Sequence, residues 1–112
     1  MPNSQSLLLL ASATKNSNGQ SEDFPTSAVD RVHLDINVSA ITGSVTFTYS
    51  RKGHDGNYFQ VWSGTLGNTG SLSANIGHGL EVNKEPGMIG QLSWTLAGSG
   101  ASVTFSASAN GK

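Results

Sequence analysis

From Val32 to Ser39 every second side chain is apolar: Val32, Leu34, Ile36 and Val38 alternate with His33, Asp35, Asn37 and Ser39. An extended chain sends successive side chains to opposite faces, so a period of two marks a half-buried strand. The pattern returns further on. Val45, Phe47 and Tyr49 alternate with Thr46, Thr48 and Ser50; Leu92, Trp94 and Leu96 form a third stretch, and Val103, Phe105 and Ala107 a fourth. No helical period persists. Strands with one apolar face must cover that face, and a second sheet is the partner that fits.

The punctuation between these stretches predicts the element order. Ser6 to Thr14 reads as a first strand, and the polar segment from Lys15 to Asp30, which holds Pro25, as a long loop. Ile41-Thr42-Gly43 predicts a turn. Lys52 to Asn57 predicts a tight hairpin, because Asp55-Gly56 tolerates positive φ. Tyr58 to Ser63 returns as the next strand, Gly64 to Gly70 is loop, and Ser71 to Ile76 is a short strand. Gly77 to Gly87, with Pro86, is a loop. Ile89 to Leu96 and Ser102 to Ala109 then predict a closing hairpin across Ala97 to Ala101. Together these give an all-β chain: one β-sandwich or jelly-roll-like domain of seven to eight antiparallel strands. Residues 1–30 form an N-terminal strand or arm with its loop, and residues 31–112 the sandwich.

The surface of such a sandwich is unusual here. Charged residues make up 12% of the 112 residues, against about 25% in ordinary soluble domains. In their place stand 17 Ser, 9 Thr, 9 Asn and 14 Gly. Hydroxyl side chains cost less to desolvate than Lys or Glu and lose little rotamer entropy when fixed. A lightly charged surface therefore suits a protein that neighbours will cover, although β-proteins also use much Ser, Thr and Gly. The formal net charge is −1, too small for repulsion to hold copies apart. The six Lys and Arg are scattered, so no basic patch serves nucleic acid. There is no Cys, which excludes disulfides and thiolate metal sites. Leu7 to Leu10 is too short for a signal h-region or a membrane span. It reads as a buried strand, or as an arm that docks on a neighbour.

Chemistry leaves few marks. His33 and Asp35 lie two apart on one strand face and could share a ligand, but a metal site needs three or four donors, and a solvated face is the simpler account. Asp55-Gly56-Asn57 echoes a calcium loop without its flanking acidic positions. The carboxylates Glu22, Asp23, Asp30, Asp35, Asp55, Glu81 and Glu85 fall mostly in loops with no patterned pair. No nucleophile elbow is present. The expectation is a protein without catalytic residues, metal or cofactor. The aromatics say more. Alternation places Trp62 on the face of Tyr58, with Phe59 on the other, which offers either a sugar-stacking platform or an apolar interface anchor. Trp94 alternates with Leu92 and Leu96 and belongs to the core.

A resemblance adds to this. The alternating strand Val32 to Val38 is followed by Asp55-Gly56-Asn57-Tyr58-Phe59-Gln60-Val61-Trp62. Gln91-Leu92-Ser93-Trp94-Thr95, Gly98-Ser99-Gly100 and Val103-Thr104-Phe105-Ser106 complete the set. This combination, covering Asp30 to Lys112, resembles small virion structural proteins of tailed bacteriophages. The resemblance implies a cofactor-free β-sandwich that serves as a head decoration (cement) protein, binding the major capsid protein and stabilising the shell. It also implies a homo-oligomer, dimer or trimer, on the capsid surface of virions assembled in the host cytoplasm, with no nucleic-acid or membrane partner. Expected contact residues are Leu8, Leu10, Phe59, Trp62, Thr46, Thr48, Thr104 and Ser106. A head–tail connector or tail accessory protein is one alternative; a carbohydrate-binding module stacking sugars on Tyr58 and Trp62 is another.

Overall fold

The computed structural model describes residues 5–26, 31–52, 56–77 and 89–111. They form seven strands: β1 (Gln5–Lys15), β2 (Gly19–Gln20), β3 (Phe24–Pro25), β4 (Arg31–Lys52), β5 (Tyr58–Leu66), β6 (Gly70–Gly77) and β7 (Ile89–Gly111). All belong to one open antiparallel sheet, and no helix occurs among the described residues. Two strands dominate. β4 has 22 residues and β7 has 23, and they pair along almost their whole length, from Val32 opposite Gly111 to Lys52 opposite Ile89.

A straight strand of that length would reach roughly 70 Å at about 3.3 Å per residue, yet the longest dimension of the molecule is 42 Å. Both strands therefore bend, and the sheet folds back on itself into two packed layers. The first layer contains β1, the second half of β7, the first half of β4, and β6. The second contains β2 and β3, the first half of β7, the second half of β4, and β5. The corner shows in the register. Shifts fall between Val38 and Ala40 and between Thr42 and Ser44. Buried positions change parity there, from Val32, Leu34, Ile36 and Val38 to Val45, Phe47, Tyr49 and Arg51. β7 switches at the same place, from Leu92 and Trp94 to Val103, Phe105, Ala107 and Ala109. A bulge inserts a residue, and one residue is what turns an inward face outward.

The alternation of the sequence is thus observed, but two connections are not as expected. Ile41-Thr42-Gly43 does not end a strand, and Ile89 to Leu96 does not form a hairpin with Ser102 to Ala109. Each predicted pair of strands is one strand carried round the corner, because both halves keep their partner across the bend. Gly43 makes the bend possible: its φ is 82°, and a Cβ there would stand 2.5 Å from the Ala97 carbonyl oxygen. Gly98 and Gly100 take positive φ opposite it. Part of the predicted loop from Lys15 to Asp30 is also sheet, since β2 and β3 pair with β7. The strands on either side of residue 30 share one sheet.

The core lies between the layers. Ile36, Val38, Val103, Phe105 and Ala107 of the first layer meet Val45, Phe47, Leu92 and Trp94 of the second. Phe105 makes edge contacts with Phe47 at 4.9 Å and Trp94 at 5.2 Å between ring centroids, a favoured aromatic geometry. Farther from the corner, Phe24 and Tyr49 face Val32, Leu34 and Ala109. Gly19 closes β2 over Trp94: a Cβ there would come within 2.8 Å of the indole ring. Leu8 and Leu10 of β1 pack on the core from the margin. The Leu run is therefore a strand of this chain's own sheet.

Candidate functional site

With the apolar faces turned inward, the outward faces carry what the alternation leaves. Across the second layer the register lines up Thr95, Thr46 and Thr65, then Ser93, Thr48 and Ser63, then Gln91, Ser50 and Gln60. Thr46 and Thr65 share a hydroxyl hydrogen bond of 2.9 Å, and Ser93 Oγ donates to the Thr48 carbonyl at 3.4 Å. The first layer shows Thr14 beside Thr104, with hydroxyls 2.7 Å apart. Beyond them lie Ser106, Asn37 and Ser71, then Ser108, Asp35 and Ser73. Cross-strand Thr pairs link such rows without charge, and Asp35 is the acidic residue among them.

A groove of about 310 Å³ opens on the first layer, between Leu9 on one side and Asp35, Asn37, Ser71, Ser106 and Ser108 on the other. Leu9 is 77% exposed, the most exposed large apolar side chain described. The alternation of β1 sends Leu8 and Leu10 inward and Leu9 out. His33 Nε2 lies 3.2 Å from Asp35 Oδ2. Both side chains are exposed, so the pair contributes little and belongs to a solvated face.

The aromatic end of β5 is arranged differently from its sequence pattern. A register shift between Tyr49 and Ser50 of β4 leaves Val61 as an extra residue in β5, so that Trp62 opposes Tyr49 and Phe59 opposes Arg51. Tyr49 and Arg51 both point inward and are fully buried. Trp62 and Phe59 therefore share the inward face, and Tyr58, opposite Lys52, takes the outward one. This corrects the expected pairing of Tyr58 with Trp62. The sugar platform built on those two does not form, because Trp62 packs partly buried on both core clusters. Phe59 is half exposed at the rim, with the Arg51 guanidinium 6.0 Å from its ring centroid.

Tyr58 instead spans the second layer. Its hydroxyl donates to both Asp23 carboxylate oxygens, at 2.7 and 2.8 Å, and Gln91 Nε2 donates to the same carboxylate at 3.2 Å. Lys52 Nζ lies 5.5 Å from the Tyr58 ring centroid. The hydrogen bond to Asp23, then desolvation, then the carboxylate's charge hold the Tyr58 phenol above its ordinary pKa. Nearby, buried Ser21 exchanges hydrogen bonds with Leu92, its amide donating to the Leu92 carbonyl and its hydroxyl accepting from the Leu92 amide. Asn18 Oδ1 accepts from the Leu96 amide at 2.7 Å. The segment between β1 and β4 is thus held to β7 by side chains as well as by backbone.

The expected contact residues divide accordingly. Thr46, Thr48, Thr104 and Ser106 stand on outward rows, half-buried by their neighbours, and Phe59 is exposed at the rim. Leu8, Leu10 and Trp62 serve the chain's own core. Leu9 and the Asp23–Tyr58 tie were not foreseen. Strict period-two counting from the exposed Ser6 turns Leu9 inward; the register shift between Ser6 and Leu8 reverses the parity and sends it out, and nothing local signals either that shift or Asp23. His54, Asp55, Asp30, Glu81 and Glu85 lie outside the described residues. Among the described residues no three His, Cys, Asp or Glu gather to hold a metal, and no helix is long and apolar enough to cross a membrane. No family model matches the chain, and no curated protein is significantly similar to it.

Proposed function

We propose that this is a non-enzymatic structural protein of a bacteriophage virion, a head decoration protein that binds the major capsid protein as a homo-oligomer and stabilises the shell. The observation that carries this reading is the pair of outward faces paved mostly with neutral Ser, Thr, Asn and Gln rows, interrupted on the first layer by His33 and Asp35. Such rows can be covered by another protein without stripping water from many charges. Contact distributed over them gives each copy a modest hold, and many copies together resist opening of the shell. Leu9, on the edge strand β1 at the lip of the first-layer groove, supplies an apolar contact beside a polar face. The resemblance of Asp30 to Lys112 to small virion proteins supports the same reading.

The test mixes purified protein with undecorated shells. Saturable binding is expected, and Thr46→Lys with Thr48→Lys should abolish it while leaving the fold intact, since a charge on a covered row must be desolvated. Shells that take up no protein at micromolar concentration overturn the proposal. Particle imaging separates the head site from a head–tail or tail site, where the same surfaces would serve. A glycan array addresses the carbohydrate alternative, for which the groove beside Asp35 is the remaining candidate.

A further inference from the structure

An open sheet ends in edges whose free backbone groups can capture another strand, and proteins ordinarily block them with bulges, Pro, charge or short length. Among the described residues this molecule blocks all of its edges but one. β1 has two register shifts against β7 and ends in Lys15. β2 and β3 are two residues each, and β3 ends on Pro25. β5 carries the extra residue at Val61, and its Tyr58 is tied down by Asp23. β6 has none of these devices. Its eight residues pair with β4 without a shift, from Arg31 opposite Gly77 to Val38 opposite Gly70, and none is charged or Pro. Its inward residues Leu72, Ala74 and Ile76 stay half-buried at the margins of the two core clusters.

We propose that β6 pairs antiparallel with β6 of a second copy about a two-fold axis at Ala74. The first layers of two molecules then join into one continuous sheet of eight strands. This deepens the homo-oligomer part of the proposed function and needs no shell. The occupant follows from self-complementarity. In this register Leu72 lies opposite the second copy's Ile76, Ala74 opposite Ala74, and Ser73 opposite the second copy's Asn75. Apolar meets apolar on the inward face, polar meets polar on the outward face, and no charge opposes another. A slip by one residue would set Leu72 against Asn75 and turn the faces over. The interface is isologous, so one strand supplies both sides and the assembly closes as a dimer. Each copy covers the other's half-buried Leu72, Ala74 and Ile76, so the core gains a continuation along with the sheet.

The chain has no Cys, so a single introduced thiol reports on the seam. Ala74→Cys should form a disulfide dimer under mild oxidation, while Leu9→Cys, on the open outward face, should stay monomeric over the same time. By sedimentation the unmodified protein should be dimeric at about 0.1 mM, tenfold above a Kd of about 10 μM. Ala74→Lys sets two ammonium groups face to face and should give a folded monomer. Should that variant fail to fold, Ser73→Lys, outward on the same edge, replaces it. The proposal is overturned by a monomer at 0.1 mM, by equal crosslinking at residues 9 and 74, or by a lysine variant that remains dimeric. A monomer that still decorates shells removes the dimer and leaves shell binding standing; a dimer that ignores shells does the reverse.

Discussion

The two layers share β4 and β7, yet they are built from different stock. The second layer is bulky inside and tied down at its margins. Phe24, Phe47, Tyr49 and Trp94 are its buried aromatics, and Arg51 is buried beside them. Its margins are held by two-residue strands, a bulge and the link from Tyr58 to Asp23. The first layer is slimmer. Val32, Leu34, Ile36, Val38, Ala107 and Ala109 face inward with a single buried aromatic, Phe105. It keeps the groove, the exposed Leu9 and β6, which among the described residues pairs with β4 alone. Large side chains on one layer fill the space left by small ones on the other, which is how two faces reach close packing. The difference is one of build: the second layer supplies most of the buried aromatic volume, and the first carries the groove and the exposed Leu9.

The sharpest way to break this contrast is to remove volume from each side. Phe47→Ala should cost about 3–5 kcal/mol, because it opens a cavity at the centre of the aromatic contacts, whereas Ile36→Val in the first layer should cost about 0.5–1.5 kcal/mol. Chemical denaturation of both variants measures the losses, and a loss under about 2 kcal/mol for Phe47→Ala would show that the aromatic contacts of the second layer do not carry the packing. The corner that joins them comes next. Gly43→Ala forces a positive φ on a side chain whose Cβ meets a backbone oxygen, for an expected loss of about 2–3 kcal/mol. A loss under about 0.5 kcal/mol would show that the bend relaxes without that glycine.

Contact duty should separate from packing duty within three residues of β1. Leu8 packs on the core and Leu9 does not. Leu8→Ala is expected to lower stability by about 1–2 kcal/mol through lost apolar burial, while Leu9→Ala stays within about 0.5 kcal/mol of the parent. Shell binding should respond in the opposite order, weakened by Leu9→Ala and little affected by Leu8→Ala in protein that remains folded. Thermal melts and shell sedimentation on the same two variants read both quantities.

What the sequence showed of this arrangement follows from how locally each feature is encoded. The parity of buried positions was legible, because Val32 to Val38, Val45 to Tyr49 and Val103 to Ala107 each carry it in their own residues. Even the switch of parity at the corner stands in the sequence. It reads as a turn, because a turn and a sheet corner both use Gly and both reset the alternation. Only the long-range pairing of β4 with β7 on both sides of Gly43 tells them apart. The Val61 bulge was hidden for a similar reason: Tyr58 to Trp62 alternates well enough to count straight through, and the extra residue is visible only against Tyr49 and Arg51. Asp23 and Tyr58 meet across 35 positions, a distance over which no periodicity operates.

That pair also gives the subtlest test, in which pH replaces mutation. Tyr58 is exposed, and its phenol is held above the ordinary value of 10.0, first by the hydrogen bond to Asp23. A group whose pKa rises on folding favours the folded state while it is protonated. Its contribution is therefore complete below pH 10 and fades as the pH climbs through the raised value. In that range tyrosinate and the Asp23 carboxylate repel, and the second layer loses a tie that the first layer never had. Hydrogen exchange at alkaline pH should quicken along β5 before it quickens along β6. Asp23→Asn should bring the ultraviolet titration of Tyr58 back toward the free phenol, since it removes both the charge and the strongest acceptor. A Tyr58 that ionises at or below pH 10 in the parent protein would show that the tie does not hold in solution. The closed margin of the second layer would then rest on its bulge and its two short strands alone.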